Sequence, residues 1–313
     1  MKYSINSSNS INEALKKLND GDILFLENGI YNEKVIVLNN NIKIIGESKD
    51  QVIIRNHDWF CKIMEDYNEC NTFRTYTVLI AGNNIELENL TIENSCKPSS
   101  KYGQAIALYA EGDNFHAYNL NIKGAQDTLF TGPLPPDLII RHQGFLPKYQ
   151  LNGKKSKQIY DSCNIEGDVD FIFGTAEALF INCNIISIKR VCKSSIEGFL
   201  CAPAQSLDNK YGYLFYKCNL ISEGNNKNIF LARPWRDYGM AAFIECNIGN
   251  HISELGFDKW NNTNRDKTAR FYEYNEKYDL SKRVKWAHIL NKEDKNKYIN
   301  DFFKEVGYTK RED

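Results

Sequence analysis

The sequence predicts an all-β chain wound as a parallel β-solenoid, and three observations carry that expectation. First, a short phrase recurs: ENLTI at 88–92, YNLNI at 118–122, SCNI at 162–165, NCNI at 182–185, KCNL at 217–220 and ECNI at 245–248. Aligning Leu90, Leu120, Cys163, Cys183, Cys218 and Cys246 gives intervals of 30, 43, 20, 35 and 28 residues. The shortest matches one solenoid coil, and the longer ones match coils that carry loops. Second, Asn121, Asn164, Asn184, Asn219 and Asn247 share one position of the phrase. Side chains so placed can stack as a hydrogen-bonded ladder, although Asn also marks turns. Third, the chain holds 18 Tyr and 17 Phe, residue types that favour strands.

The ends read as caps. Ser10-Ile11-Asn12-Glu13 has the pattern of a capping box opening a short helix, with Ile11, Leu15 and Leu18 on one face and Gly21 beyond it. Residues 1–21 would then cover the first open coil. Within the C-terminal tail, 275–313, the residues Leu290, Tyr298, Ile299, Phe302 and Phe303 suggest an amphipathic helix before Gly307. The 43-residue interval contains 131–157, which holds four of the seven prolines: Pro133, Pro135, Pro136 and Pro147. Proline lacks a ladder donor, so 131–157 is expected to leave the solenoid as a surface insertion. Without it, Asp127 and Asp170 fall on neighbouring coils. No linker-like shift in composition divides residues 1–313, which are expected to form one domain.

A formal net charge of −1 and a pI near 6.5 point to no nucleic-acid partner. No apolar run approaches the roughly 18 residues of a membrane span, and the start, MKYSINSSNS, has no signal-peptide character. The chain has nine cysteines, an odd number, several in strand-like contexts. A reduced, cytoplasmic protein accounts for both features, or a secreted one if the start is a mature or truncated terminus. In an oxidising compartment Cys61/Cys70 and Cys192/Cys201 are the candidate bridges. The chain is expected to be monomeric.

Chemistry concentrates in four segments. GDVDFIFG, 167–174, places Asp170 in an apolar strand, on the face opposite Val169 and Phe171 if alternation holds. GAQDTLF, 124–130, supplies Asp127 beside Gln126; GQAIALY, 103–109, supplies Gln104; LARPWR, 231–236, supplies Arg233 and Trp235. Two neighbouring carboxyls cannot both ionise freely, so one stays an anion and one keeps a proton. Arg233 favours the anion of whichever Asp it touches. Gln104 and Gln126 offer N–H donors to a developing oxyanion, and an exposed Trp235 offers a face for a sugar ring. The set describes acyl transfer by an aspartate nucleophile. No Gly-x-Ser-x-Gly elbow and no Gly-rich phosphate loop occurs, and His57, His116, His142, His251 and His288 lack metal-ligand spacing and read as surface or structural residues.

In this order on a repetitive β-chain, the four segments resemble the pectin methylesterase (pectinesterase) family, carbohydrate esterase family 8, over about residues 10–290. The resemblance implies a single-stranded right-handed parallel β-helix that hydrolyses galacturonate methyl esters to carboxylate and methanol, with no metal or organic cofactor. It implies Asp170 as nucleophile, Asp127 as general acid and then base, Gln126 and Gln104 at the oxyanion, and Arg233 orienting Asp170. It further implies that Trp235, Phe130, Phe173 and Arg236 bind a substrate of methyl-esterified homogalacturonan or its oligomers. Asp168 stands where the family often has Thr, Ala232 where Gly often precedes the Arg, and Phe130 where Tyr is common. The 131–157 insertion is the largest departure; beside the site, it would roof the groove and favour short, imported oligomers.

Two other readings use the same solenoid. A glycoside hydrolase also employs paired carboxyls, and a lyase would want a calcium-binding carboxylate cluster. A sugar-binding solenoid without chemistry would have lost Asp127, Asp170 or Arg233, all of which are present.

Overall fold

In a computed structural model, which describes residues 1–311 apart from 67, 192 and 193, the central coils each contribute one strand to each of three parallel sheets, and the end coils contribute fewer. One coil runs Lys157–Asp161, Asn164–Gly167, Val169–Gly174, and its three strands lie in the eleven-, eight- and seven-stranded sheets respectively. Successive coils pair in parallel and in register, as Asn164 opposite Asn184 and Leu129 opposite Ile172.

The recurring phrase is the corner between the eleven- and eight-stranded sheets. Asn89, Asn119, Ser162, Asn182, Lys217 and Glu245 each adopt a left-handed backbone, φ 51 to 60°. The Leu or Cys that follows is buried at 0–1 % exposure and faces the core. The next residue opens the following strand. Asn is the side chain that best tolerates a left-handed turn, which explains its place at half of these corners. The ladder is separate and continuous. Asn247 donates to Asn219 (2.7 Å), Asn219 to Asn184 (2.9 Å), Asn184 to Asn164 (2.8 Å), Asn164 to Asn121 (2.8 Å) and Asn121 to Thr91 (3.0 Å). Inside the coils Tyr160, Phe180, Phe215 and Phe243 stack face to face at 4.5–4.7 Å, one ring per coil.

The N-terminal helix is short, Ile11–Leu15, and buries Ile11, Ala14 and Leu15 on the solenoid end. Ser10 caps it by accepting from the Glu13 amide at 3.1 Å. The reciprocal half of the capping box is missing, because Glu13 pairs with Lys16. Glu33, from a neighbouring coil, accepts instead from the amides of Ile11 (2.7 Å) and Asn12 (3.1 Å), satisfying donors a helix start leaves free.

The C-terminal helix, Lys292–Val306, forms with Gly307 in the left-handed C-terminal position. It does not cap the coil end, contrary to expectation. Ile299, Phe302 and Val306 pack on Leu179, Leu214, Ala242 and Ile244, the outer face of the eleven-stranded sheet. That face is apolar on this stretch, so a single amphipathic helix covers it, and Trp286 instead packs on Phe257 and Phe271 at the last coil.

The insertion leaves from the strand Leu129–Thr131 and rejoins at Lys157–Asp161, so the two outer residues of 131–157 belong to strands. Between them lie a helix, Pro136–Arg141, and a one-turn 3-10 segment, Lys148–Gln150. Leu134, Leu138 and Leu146 anchor it in a second apolar cluster with Phe73, Tyr109, Phe130 and Phe173, on the outer face of the seven-stranded sheet. Gln150 ties it down by donating to the carbonyl of Phe73 at 2.8 Å. Cys61 and Cys70 are free thiols; the other bridge considered involves residue 192, outside the described residues.

Candidate active site

The seven-stranded sheet carries the chemistry on its outer face. Gln104 and Gln126 pair in register on adjacent coils, and the Ala105 amide donates to the carbonyl of Gln126 at 3.1 Å. The Asp127 amide donates to the carbonyl of Val169 at 3.1 Å, which fixes Asp127 against the coil of Asp170. Both aspartates lie two residues before a paired position, Leu129 opposite Ile172. The 43-residue interval therefore amounts to one coil plus the insertion, and the two carboxyls share a cleft.

Simple alternation does not place Asp170. The pairing register shifts between Val169 and Ile172, so a bulge interrupts the strand, and Asp170 sits at φ 48°. Val169 consequently packs outside with Phe199 and Phe230, whereas Phe171 enters the core, so these two lie on different faces rather than one. The bulge turns Asp170 into the cleft. Asp127 is left-handed too, at φ 63°. Non-glycine residues in this region are uncommon, and such strain gathers at working sites. Gly167 makes the turn possible, since a Cβ there would stand 2.2 Å from the Cβ of Phe171 and 2.5 Å from the carbonyl oxygen of Ala125.

Arg233 arrives from two coils away. Its Nε donates to Asp170 Oδ1 at 2.8 Å and its Nη2 to Oδ2 at 2.6 Å, a bidentate pair. The guanidinium is clamped between two aromatic faces, 3.8 Å from the ring centre of Phe199 and 4.0 Å from that of Trp260. Trp260 escaped the sequence reading; its one signal was a lone aromatic in the polar stretch KWNNTNR. Asp127 is held differently. Burial first, and then the negative charge of Asp170, push its carboxyl well above the usual range, against the opposing pull of Arg233. The site thus holds one carboxylate gripped by a cation beside one carboxyl that keeps its proton.

A cleft of about 610 Å³ opens above the pair, and Gln104, Gln126, Asp127, Asp170, Arg233, Trp235, Phe173 and Arg236 all line it. The carboxamides of Gln104 and Gln126 bond to no other described residue, so their N–H groups are free to meet a ligand. Trp235 is half-buried rather than exposed, packed edge-on against Phe173 at 5.6 Å. Phe130 does not line the cleft. It is 0 % exposed, sealed beneath the insertion with its ring 4.5 Å from Tyr109 and 5.0 Å from Phe173. The expected role of Phe130 in binding substrate is corrected to a core role. Asp168 is also buried; its Oδ2 accepts from the Ser99 hydroxyl, and burial raises its carboxyl.

The insertion does border the groove. Leu138, Arg141 and His142 form one wall, with Asn71, Thr72 and Phe73 also lining the cleft. His142, read from sequence as an ordinary surface or structural residue, is therefore part of the cleft. Arg236 binds the insertion: its Nε and Nη2 donate to the two carboxylate oxygens of Asp137 at 3.1 and 2.8 Å. Among the described residues no group of three or more His, Cys, Asp or Glu is placed to hold a metal ion.

A parallel β-helix with an Arg-gripped aspartate, a buried carboxyl beside it and free carboxamides in one cleft fits a carboxylic ester hydrolase. The pectinesterase family model matches residues 3–133 and 140–305, and the chain belongs to that family. It is 29 % identical to pectinesterase 31 of Arabidopsis thaliana, over 90 % of this chain and 82 % of that one. It is 28 % identical to the probable pectinesterase/pectinesterase inhibitor 12 of the same plant, covering 91 % of this chain but 50 % of the relative. Among solved structures it resembles the pectin methylesterase of Yersinia enterocolitica, with TM-score 0.75, 26 % identity, and 92 % and 95 % of the two chains covered. The fold is shared with pectin methylesterase PemA from Erwinia chrysanthemi, with TM-score 0.80, 24 % identity, and 98 % and 97 % covered.

Proposed function

We propose that this pectinesterase cuts the methyl ester of galacturonate with Asp170 as the attacking group. The observation that carries the assignment is the bidentate Arg233–Asp170 pair beside the neutral carboxyl of Asp127. An Asp170 oxygen adds to the ester carbonyl, and the carbonyl oxygen becomes an anion within reach of the Gln104 and Gln126 amides. As the C–OCH₃ bond breaks, Asp127 gives its proton to the departing oxygen and methanol leaves. Asp127, now a carboxylate, takes a proton from water as that water adds to the acyl carbon. Collapse expels Asp170 as its carboxylate and frees the sugar carboxylic acid, which gives its proton to solvent, while Asp127 is left protonated for the next turnover.

We further propose short oligomers as the preferred substrate and the cytoplasm as the location. The first rests on the insertion wall and its Asp137–Arg236 tie. The second draws support from the cysteines, since the eight described ones are all unbridged and seven are buried. The test is methanol release from defined methylated oligogalacturonides of increasing length. Rates that fall with length support the reading; equal rates on long pectin and on trimers contradict the size preference. New reducing ends, or an unsaturated product absorbing in the ultraviolet, would mark glycosidic cleavage instead.

A further inference from the structure

Gln104 reaches the cleft by a detour that links it to the coil of Asp170. The strands Thr91–Asn94, Asn121–Lys123 and Asn164–Gly167 are successive neighbours in the eight-stranded sheet, so they belong to three consecutive coils. The chain that leaves Asn94 does not turn directly into the seven-stranded sheet. It runs through a short helix, Ser99–Tyr102, and then Gly103, left-handed at φ 69°, before Gln104 pairs with Gln126. On the way it spans the coil of Asp127 and fastens to the coil of Asp170, two steps or about 10 Å along the solenoid. Two contacts make the attachment. Lys97 forms an ion pair with Glu166, and the Ser99 hydroxyl donates to Asp168 Oδ2. Asp168 stands two residues before Asp170.

Asp168 is 2 % exposed and Ser99 7 %, and the second oxygen of Asp168, Oδ1, is buried with no partner among the described residues. A buried acid with an unmatched oxygen costs stability, so the fold alone gives no reason for it. The reason lies in what the segment carries. Oxyanion donors act only when fixed in advance where the charge develops, and a shift of about 1 Å costs about 10²-fold in rate. The Gln104 carboxamide has no described partner, so its backbone must place it. Ala105 donates to the carbonyl of Gln126 at 3.1 Å, and Phe60 donates to that of Gln104 at 2.9 Å. Neither bond refers Gln104 to Asp170; the bond between Ser99 and Asp168 does. On the esterase reading above, we propose that Ser99 and Asp168 are positioning residues that act through Gln104: their hydrogen bond holds the Gln104 amide at the distance from Asp170 where the oxyanion forms.

The experiment measures kcat and KM for methanol release from methylated oligogalacturonides in Ser99→Ala, Asp168→Ala, Asp168→Asn and Gln104→Ala, each shown to be folded by a thermal unfolding curve. Expected for Ser99→Ala and Asp168→Ala is a fall in kcat of about tenfold with KM little changed. Asp168→Asn keeps an acceptor for the Ser99 hydroxyl and should stay within about threefold of wild type. In the Gln104→Ala background, adding Ser99→Ala should cost less than about threefold, because the tie then has nothing to place. A kcat within about threefold of wild type in Ser99→Ala overturns the proposal, and so does a larger effect than that in the Gln104→Ala background. Asp168 also adds its charge to the push, led by burial and then by Asp170, that raises the Asp127 carboxyl. If that charge were its role, Asp168→Asn would lose as much kcat as Asp168→Ala while Ser99→Ala lost none, which contradicts the proposal. No methanol from wild type would sink the esterase reading. The placement of Gln104 then stands if amide hydrogen exchange over 99–105 quickens about tenfold in Ser99→Ala, and falls if exchange does not change.

Discussion

Arg233 spans the coil of Phe199 to hold both carboxylate oxygens of Asp170, at 2.8 and 2.6 Å, with its guanidinium face 3.8 Å from the Phe199 ring. The geometry uses what a planar fork has and an ammonium lacks: two parallel donors and a flat face between aromatic rings. It also fixes the oxygens of a residue whose backbone is left-handed at φ 48°. Arg233→Lys keeps the charge and loses the second bond and the stacking. We expect kcat on methylated oligogalacturonides to fall by about 10²-fold with KM little changed. A kcat within threefold of wild type would show that the fork is dispensable.

Asp127 yields a pH prediction. Its folded pKa lies well above the ordinary carboxyl value, so the group is an acid at pH values where a solvated Asp is ionised. Acylation needs that proton, so the single-turnover rate of methanol release should decline as pH rises through the raised pKa. In Asp127→Asn the rate should fall by about 10³-fold and the residual activity should lack this alkaline limb. An unchanged limb in the variant would assign it to another group.

Glu111 predicts a pH effect on stability rather than on rate. It is 1 % exposed, both carboxyl oxygens are buried without a partner, and burial raises its pKa well above the usual range. Above the unfolded value, about 4.3, the unfolded chain gives up this proton while the native chain keeps it. Folding stability from this group is therefore full below that value and is lost, by about 1.4 kcal/mol per pH unit, as pH rises toward the folded pKa. Denaturant unfolding of Glu111→Gln at pH 5 and pH 7 should show a shallower decline than wild type, by about one proton. Parallel declines would mean that Glu111 ionises without penalty in the native state.

The tie between Asp137 and Arg236 predicts a change in substrate size. The pair is partly exposed, so its loss should cost about 0.5–1 kcal/mol and leave the fold in place. Asp137→Ala frees the wall helix, and the ratio of activity on long pectin to activity on trimers should rise by several-fold. A ratio that does not move would show that the helix does not limit chain length.

Much of this was legible in the sequence because a solenoid turns sequence spacing into spatial order. Once the proline-rich insertion is set aside, the 43 residues between Asp127 and Asp170 equal one coil, and the Asn phrase marks the coil phase. What escaped depends on features that spacing does not encode. The bulge at Asp170 breaks the period-2 rule that put Val169 and Phe171 on one face. The C-terminal helix has its amphipathic pattern, but the pattern does not say whether an open coil or the apolar outer face around Leu179 and Leu214 receives it. Phe130 was expected in the groove and is buried because the insertion, whose path the prolines do not reveal, closes over it. Glu33 replaces half of the Ser10 capping box from another coil, and Trp260 meets Arg233 across a loop; both are long-range contacts without a local signature.

The measurement closest to the centre of this account is methanol release by Asp170→Asn. Asn is the choice over Ala because it tolerates a left-handed backbone, whereas Ala at φ 48° would add about 1 kcal/mol of strain to the loss of the Arg233 partner. With a thermal unfolding curve confirming the fold, we predict a fall in turnover of at least about 10⁴-fold on methylated oligogalacturonides. Turnover within tenfold of wild type would mean that another group attacks the ester.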